Sequence, residues 1–234
     1  MSGMEREMTY VKHVSIDFWN TLATPNPAYA EARNNSLAKL YDEPTVRVAR
    51  AYKQVKKRLV HVSEESGEQQ YPIAYFDSLD SLLQRKTEPG DRERVLVELS
   101  DLFIAAPPTV LEETTDELRK LKSVGITLSV GSNTHLVSGQ TIMDTEVLGP
   151  EFDFLVFSDA VGFAKPSPNF FLCALVAASL GGTRPITPSE VIHVGDVAKC
   201  DYDGPRAFGM QAVQIQDPRS LPTALRAIRE EYLL

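Results

Sequence analysis

The spacing of apolar positions divides the chain into two textures. A short apolar run over 10–16 ends at Asp17 and has the length of a buried strand. After the turn Thr24-Pro25-Asn26-Pro27, apolar residues recur at helical spacing as far as Pro107-Pro108. That spacing predicts four helices, over 28–41, 45–66, 71–85 and 91–105. Pro44, Gly67, Pro72 and Pro89-Gly90 separate them. From 112 onward strands and helices alternate. A helix over 112–123, stopped by Gly125, precedes strands over 126–130, 154–157, 191–194 and 212–215. Helices are expected between and after them, over 134–148, 168–180, 202–208 and 221–232. Buried strands separated by helices imply a parallel sheet with right-handed crossovers. The expected fold is α/β, with a sheet core formed by 1–24 and 107–234 and an all-helical cap inserted over 25–106.

Composition narrows the function classes. The chain has 234 residues, a formal net charge of −8 and a pI near 5.1. An acidic balance argues against a general nucleic-acid or anionic-membrane surface, although a local basic patch can sit inside a cleft. Nothing marks Cys173 and Cys200 as a disulfide pair, so a reducing compartment is the simplest reading. The segment 1–13 is polar and charged, without the apolar core of a signal peptide. No apolar run approaches the roughly 20 residues needed to span a bilayer. The expectation is a cytoplasmic monomer or homodimer that binds neither nucleic acid nor membrane.

In an open α/β sheet, ligands bind beyond the carboxyl ends of the strands. The first predicted strand is followed by Asp17-Phe18-Trp19-Asn20-Thr21-Leu22 and the second by Ser132-Asn133. Lys165-Pro166 lies near the third, and Gly195-Asp196 follows the fourth, with Asp201 five residues on. Taken singly, each has a plain structural reading. An Asp at a strand end is a turn or capping residue, a lysine beside proline a solvated loop cation, and Asp201 a first-turn acid favoured by the helix dipole. Following successive strands in order, they instead converge on one sheet edge. A carboxylate there can attack phosphorus and divide one hard step into two easier ones. A divalent cation held by carboxylates offsets the repulsion between that nucleophile and an anionic substrate. A lysine, a hydroxyl and backbone N–H groups can hold the phosphate oxygens.

At these residues the chain resembles the haloacid dehalogenase-like (HAD) hydrolase superfamily. The matching stretches are Ser15-Ile16-Asp17-Phe18-Trp19-Asn20-Thr21-Leu22, Val130-Gly131-Ser132-Asn133, Gly162-Phe163-Ala164-Lys165-Pro166, and His193-Val194-Gly195-Asp196 with Asp201. The last is followed by Gly204, Ala207 and Gly209-Met210, and the resemblance runs through all but the first dozen residues. It implies a Rossmann-like core with a helical cap, Asp17 as nucleophile, Lys165 as the charge-neutralising lysine and Ser132 as a phosphate binder. The backbone around Phe18 and Trp19, together with Asn133, would complete the phosphate site. Mg²⁺ would be held by Asp17, Asp196 and the Trp19 carbonyl, with Asp201 positioning the metal or its water. The implied substrate is a small phosphorylated metabolite.

One position departs from the pattern. Phosphatases of the family usually carry a second aspartate two residues after the nucleophile, as the acid and base of the reaction, and here that residue is Trp19. An indole cannot exchange a proton at neutral pH, and loss of such help typically costs on the order of 10²–10⁴-fold. Three readings stay open. The chain is a phosphohydrolase for substrates with good leaving groups or with protons supplied elsewhere. Alternatively it is a metal-independent 2-haloacid dehalogenase-like enzyme, or a weakly catalytic protein that binds a phosphorylated ligand. Asp196 and Asp201 argue against the second, because a halide needs no Mg²⁺.

The cap helix bearing Arg47, Arg50, Lys53, Lys56, Lys57, Arg58 and His61 is basic within an acidic chain. Its plain reading is a solvated face, and its sharper one is that Lys53 or Lys57 points into the cleft. Tyr71, Tyr75 and Phe76 read as packing residues, His193 as buried structure, and His135 as either a surface loop residue or a substitute proton carrier.

Overall fold

The computed structural model describes residues 10–180 and 185–232. The polar opening segment lies outside them over 1–9. The core is a five-stranded, wholly parallel sheet. Its central strand is β1 (His13–Ile16), and the main helical block lies between two further short strands, β2 (Ala23–Thr24) and β3 (Thr109–Val110). The other sheet strands are β4 (Thr127–Ser132), β5 (Phe154–Phe157), β6 (Val191–Gly195) and β7 (Gln211–Gln214), in the order β5-β4-β1-β6-β7.

Register gives the two sheet faces different chemistry. Val14 pairs with Leu128 and Ile192, and Ile16 with Val130 and Val194, so one face is an apolar grid. Leu118 and Leu121 of α5 (Glu112–Ser123) and Leu221, Leu225 and Ile228 of α10 (Leu221–Tyr232) cover it. Because side chains alternate along a strand, His13, Ser15, Ser129 and His193 fall on the other face. They are buried and satisfied by one another. His13 bridges the Thr127 and Ser129 hydroxyls at 2.8 Å each, and His193 meets Ser15 at 3.0 Å. Phe170, Phe171 and Ala174 of α8 (Pro168–Leu180) cover this face.

The helical insertion comprises α1 (Pro27–Tyr41), α2 (Thr45–Ser66), α3 (Pro72–Leu83) and α4 (Pro89–Ala105). Pro occupies the first turn of α1, α3 and α4, where its missing N–H costs nothing. These helices share a core around Leu37, Val48, Val55, Tyr75, Phe76 and Leu99. Two features tie the cap to the sheet. Strands β2 and β3 pair antiparallel at its base, Ala23 against Val110, and Tyr29 and Phe103 pack into the sheet core while Leu136 packs into the cap.

Several sequence expectations need revision. The helix expected over 134–148 shrinks to α6 (Gly139–Met143). The Thr134 hydroxyl donates to Asp159 at 2.5 Å and Ser138 caps α6 through Thr141 N–H, local bonds that compete with helix before residue 139. The helix over 202–208 is α9 (Gly204–Phe208), entered through a π-helical turn over Ala198–Asp203. A one-turn helix, α7 (Ser158–Val161), follows β5, and both it and the β2–β3 ribbon are too short to leave a periodic signal. No helix among the described residues is long and apolar enough to cross a membrane.

Candidate active site

The carboxyl edge of the sheet gathers the expected groups. Asp17 follows β1, its N–H donating to Val194 O across the sheet. The chain then turns sharply: Asn20 adopts a left-handed conformation (φ 57°), and Leu22 and Ala23 N–H return to the carbonyls of Asp17 and Phe18. Asp196 and Asp201 arrive from the end of β6 and from the π-helical turn. Oxygens of Asp17, Asp196 and Asp201 lie within 4.8 Å of one another. Gly195 permits this, since a Cβ there would sit 2.3 Å from the Asp201 carboxyl carbon.

Lys165 crosses beneath the three acids with its side chain buried. Its Nζ donates to Asp17 Oδ1, Asp201 Oδ1 and the Gly131 carbonyl, each at 2.7 Å. All three ammonium hydrogens therefore have acceptors. Asn133 positions the lysine by clamping its backbone: Lys165 N–H donates to Asn133 Oδ1 at 2.7 Å, and Asn133 Nδ2 to Lys165 O at 3.0 Å. Asp201 is also held by Val197 N–H at 2.9 Å and His193 Nε2 at 3.1 Å. His193 is buried structure, and specifically a prop for Asp201.

Electrostatics within the cluster are unequal. Burial pulls the Lys165 ammonium down, but Asp17 and Asp201 outweigh it and hold the pKa above that of a free lysine. Burial pushes Asp201 up, and Lys165 and His193 outweigh that, so Asp201 stays strongly acidic. Asp17 is left with the deficit: burial raises its pKa, Lys165 opposes this, and Asp201 adds to it. Asp196 rises to about 6 through burial and repulsion from Asp17 and Asp201. Three clustered carboxylates against one ammonium form an oxygen-donor set short of positive charge, which suits Mg²⁺. The Ser132 hydroxyl is fully buried without a hydrogen-bond partner at the same strand edge, as expected of a group reserved for a ligand oxygen. The donor set therefore fits both the metal and a phosphate.

Above this floor lies a cavity of about 260 Å³, lined below by Asp17, Trp19, Lys165, Asp196 and Asp201 and above by the cap. Phe18 is wholly buried in the core, so only its backbone can face a ligand. Trp19 lines the cavity and packs edge-on to Phe18 and Phe103, with centroids at 4.8 and 5.8 Å. Cys200 also lines it, and burial pushes its thiol up to about 12, leaving it a poor nucleophile at neutral pH; neither cysteine is in a disulfide.

The cap residues facing the site differ from those expected. The plain reading of the basic helix holds, since Arg47, Arg50, Lys53, Lys56, Lys57, Arg58 and His61 are all exposed. Lys53 and Lys57 do not line the cavity, whereas the exposed Lys56 reaches its edge, with Tyr52 one turn before it and Val60 one turn after. A helix turns about 100° per residue, so a one-residue error selects another face. The usable signal was that Tyr52, Lys56 and Val60 recur every four residues beside the apolar stripe Val48–Val55–Leu59. Arg33 and Tyr29 of α1, also facing the cavity, left no signal before the helices were assembled. Tyr75 and Phe76 pack as expected, whereas Tyr71 is exposed. His135 is half-buried and lines the cavity, where burial and then Lys56 lower its pKa to about 4.

With this geometry in view, comparison with known proteins identifies the family. A family model described as haloacid dehalogenase-like hydrolase matches residues 11–209. The chain belongs to that hydrolase family. It is 35% identical over 127 residues to haloacid dehalogenase-like hydrolase domain-containing protein 3 of Homo sapiens, covering 53% of this chain and 47% of that protein. The Mus musculus counterpart is 33% identical over 126 residues, with the same coverage. The match thus spans about half the length of these curated relatives. Among solved structures, a HAD phosphatase from Thermococcus onnurineus aligns with TM-score 0.61 and 19% identity over 92% of this chain and 98% of that one. YfnB from Bacillus subtilis, bound to magnesium, aligns with TM-score 0.65 and 15% identity over 92% and 99%. The L-2-haloacid dehalogenase from Xanthobacter autotrophicus aligns with TM-score 0.56 and 17% identity over 88% and 77%. At these identities the structures establish a shared fold with a cap.

Proposed function

We propose that the chain is a Mg²⁺-dependent phosphohydrolase acting on a small phosphorylated metabolite through an aspartyl-phosphate on Asp17. The observation that carries this reading is the convergence of Asp17, Asp196 and Asp201 around Lys165, beside the unpartnered Ser132 hydroxyl. Asp17 Oδ1 is bonded to Lys165, which leaves Oδ2 to attack phosphorus as the bond to the leaving oxygen breaks. Water then cleaves the acyl phosphate, releasing inorganic phosphate and restoring the carboxylate. Lys165, whose three hydrogens are already engaged, contributes its positive charge, and the Ser132 hydroxyl is free to donate to an equatorial oxygen. Mg²⁺, when held by Asp17 and Asp196 with the Trp19 carbonyl, would neutralise phosphate charge. Because Trp19 supplies no proton, the reading favours leaving groups that depart as stable anions or carry their own proton.

Trp19 also supports a second reading, direct displacement of halide from a 2-haloacid by Asp17. A screen of phosphate esters with Mg²⁺ and with EDTA separates the two. Metal-dependent phosphate release that disappears in Asp17→Asn supports the phosphohydrolase. Metal-independent halide release from 2-chloropropionate would replace it with the dehalogenase, and phospholigand binding without any turnover would make the chain a regulator.

A further inference from the structure

The cap side of the cavity carries cations without carboxylate partners and buried hydroxyls without hydrogen-bond partners. Arg33, half-buried on α1, lies over the Tyr52 ring with its guanidinium carbon 3.9 Å from the centroid. Its charged nitrogens bond the Asn34 side chain, and among the described residues no carboxylate pairs with it. Lys56, facing the same cavity from α2, also has no carboxylate partner among the described residues. The hydroxyls of Tyr29 and Tyr75 are buried without a hydrogen-bond partner, although both residues line the cavity. Acceptors on this side are scarce. Asn26 has its amide spent on Ala28 N–H and Pro107 O. Glu64 lines the cavity eight residues beyond Lys56, about 12 Å along the helix at 1.5 Å per residue, and its charge bears on Cys200.

Lys56 is exposed at the cavity's edge and Arg33 is half-buried, so the cost of this arrangement lies in the two buried phenol hydroxyls that find no partner. Although Lys56 is exposed, the protein atoms crowded around its stem and then Arg33 lower its pKa, the direction expected where two cations share a wall. An anionic group seated between them would remove the repulsion and use all four donors.

We propose that the cap wall is an anion subsite, in which Arg33 and Lys56, flanked by the Tyr29 and Tyr75 hydroxyls, bind a second acidic group on the substrate's leaving portion. The substrate class is then a small organic phosphate bearing a carboxylate or a second phosphate. This rests on Asp17 as the reacting end, and it deepens the phosphohydrolase reading by defining what the other end must carry. Arg33 supplies a planar fork for either kind of oxyanion, and Lys56 a point charge.

The test compares kcat/KM for phenyl phosphate, 4-carboxyphenyl phosphate and benzene-1,4-diyl bisphosphate, in the native protein and in Arg33→Met and Lys56→Met, which keep an apolar stem. The acidic esters are expected to be preferred by about tenfold or more, as charge-assisted hydrogen bonds allow, with the ratio collapsing toward one in both variants. The two acidic probes distinguish a carboxylate from a phosphate as the natural group. A ratio near one in the native protein, or one unchanged in both variants, overturns the subsite and leaves hydrolysis at Asp17 standing. Binding of benzylphosphonate and 4-carboxybenzylphosphonate, read by fluorescence of Trp19, the chain's single tryptophan, separates the two ideas from the other side. Tighter binding of the carboxylated phosphonate that is lost in Arg33→Met supports the subsite even if no ester turns over, an outcome that would sink the phosphohydrolase instead.

Discussion

The floor and the roof of the cavity are built on opposite principles. On the floor, each of the three Lys165 ammonium hydrogens has an acceptor, and Asp201 is gripped by a lysine, a histidine and a backbone N–H. Such a site is rigid before substrate arrives, which suits chemistry that depends on preorganised charge. On the roof, the cations lack carboxylate partners and two phenols lack any partner, and the groups that line it come from three helices of an inserted block. On the proposed reading, reaction type is set where polar groups satisfy one another, and substrate choice where they do not.

The largest expected effect tests the floor directly. Asp17→Asn keeps the side-chain shape and removes the nucleophile, and should lower kcat by at least ~10³-fold in a phosphate-release assay. A variant within tenfold of the native rate would move the chemistry away from Asp17.

Lys165→Met should cost stability as well as activity, because it leaves Asp17 and Asp201 buried without their shared counter-ion. Breaking a buried pair from one side costs about 3–5 kcal/mol, readable as a lower urea midpoint. Asp201→Asn removes one charge of the excess and should cost less. If the order were reversed, the floor would not be held together by the lysine.

Beneath the floor, His13 predicts a pH dependence of folding. Burial lowers its pKa to about 4, with His193 adding to that and Asp153 opposing it. The unfolded chain takes the proton near pH 6.5, whereas the folded chain resists until about pH 4. Stability from this residue is therefore full above pH 6.5 and is lost as pH falls toward 4, by about 3 kcal/mol in all. Urea titrations at pH 7, 6, 5 and 4 should show a shallower slope for His13→Gln. Parallel slopes would mean that the buried ladder is protonated in the folded protein.

The smallest effect probes the boundary between floor and roof. Trp19→Asp restores a carboxylic acid to the lining and should raise phosphatase kcat by up to about 10²-fold if a missing proton is the only deficit. It also loses the edge contacts with Phe18 and Phe103, so a lower melting temperature should accompany it. No gain in rate would mean that proton transfer already has another route, with His135 the first residue to replace.

The make-up of the candidate site was legible because it depends on the few residues placed just beyond each strand. Asp17, Ser132, Lys165, Asp196 and Asp201 are each fixed by a strand end or a short turn, and a parallel sheet brings its carboxyl ends to one edge. Helices α1 and α2 were legible from apolar spacing bounded by proline and glycine. The segment after β4 was not: Thr134 and Ser138 have helix-compatible neighbours, and bonds to Ser158, Asp159 and the α6 N-terminus hold it as a loop. The solvated face read for the basic helix α2 holds, and only its sharper alternative, Lys53 or Lys57 in the cleft, gives way to Lys56, since a basic helix names its charges without saying which face meets a neighbour.

The sequence by itself determined the parallel core, the inserted helices and which acidic and basic groups meet at the sheet edge, because these depend on local spacing and chain order. Only the tertiary structure decided which cap side chains reach the cavity, that Tyr29 and Tyr75 hold unspent hydroxyls there and Ser132 one at the strand edge, and that Asp201 is secured by His193. Those facts depend on rotation about helix axes and on contacts between residues far apart in the chain, quantities that a linear pattern does not encode.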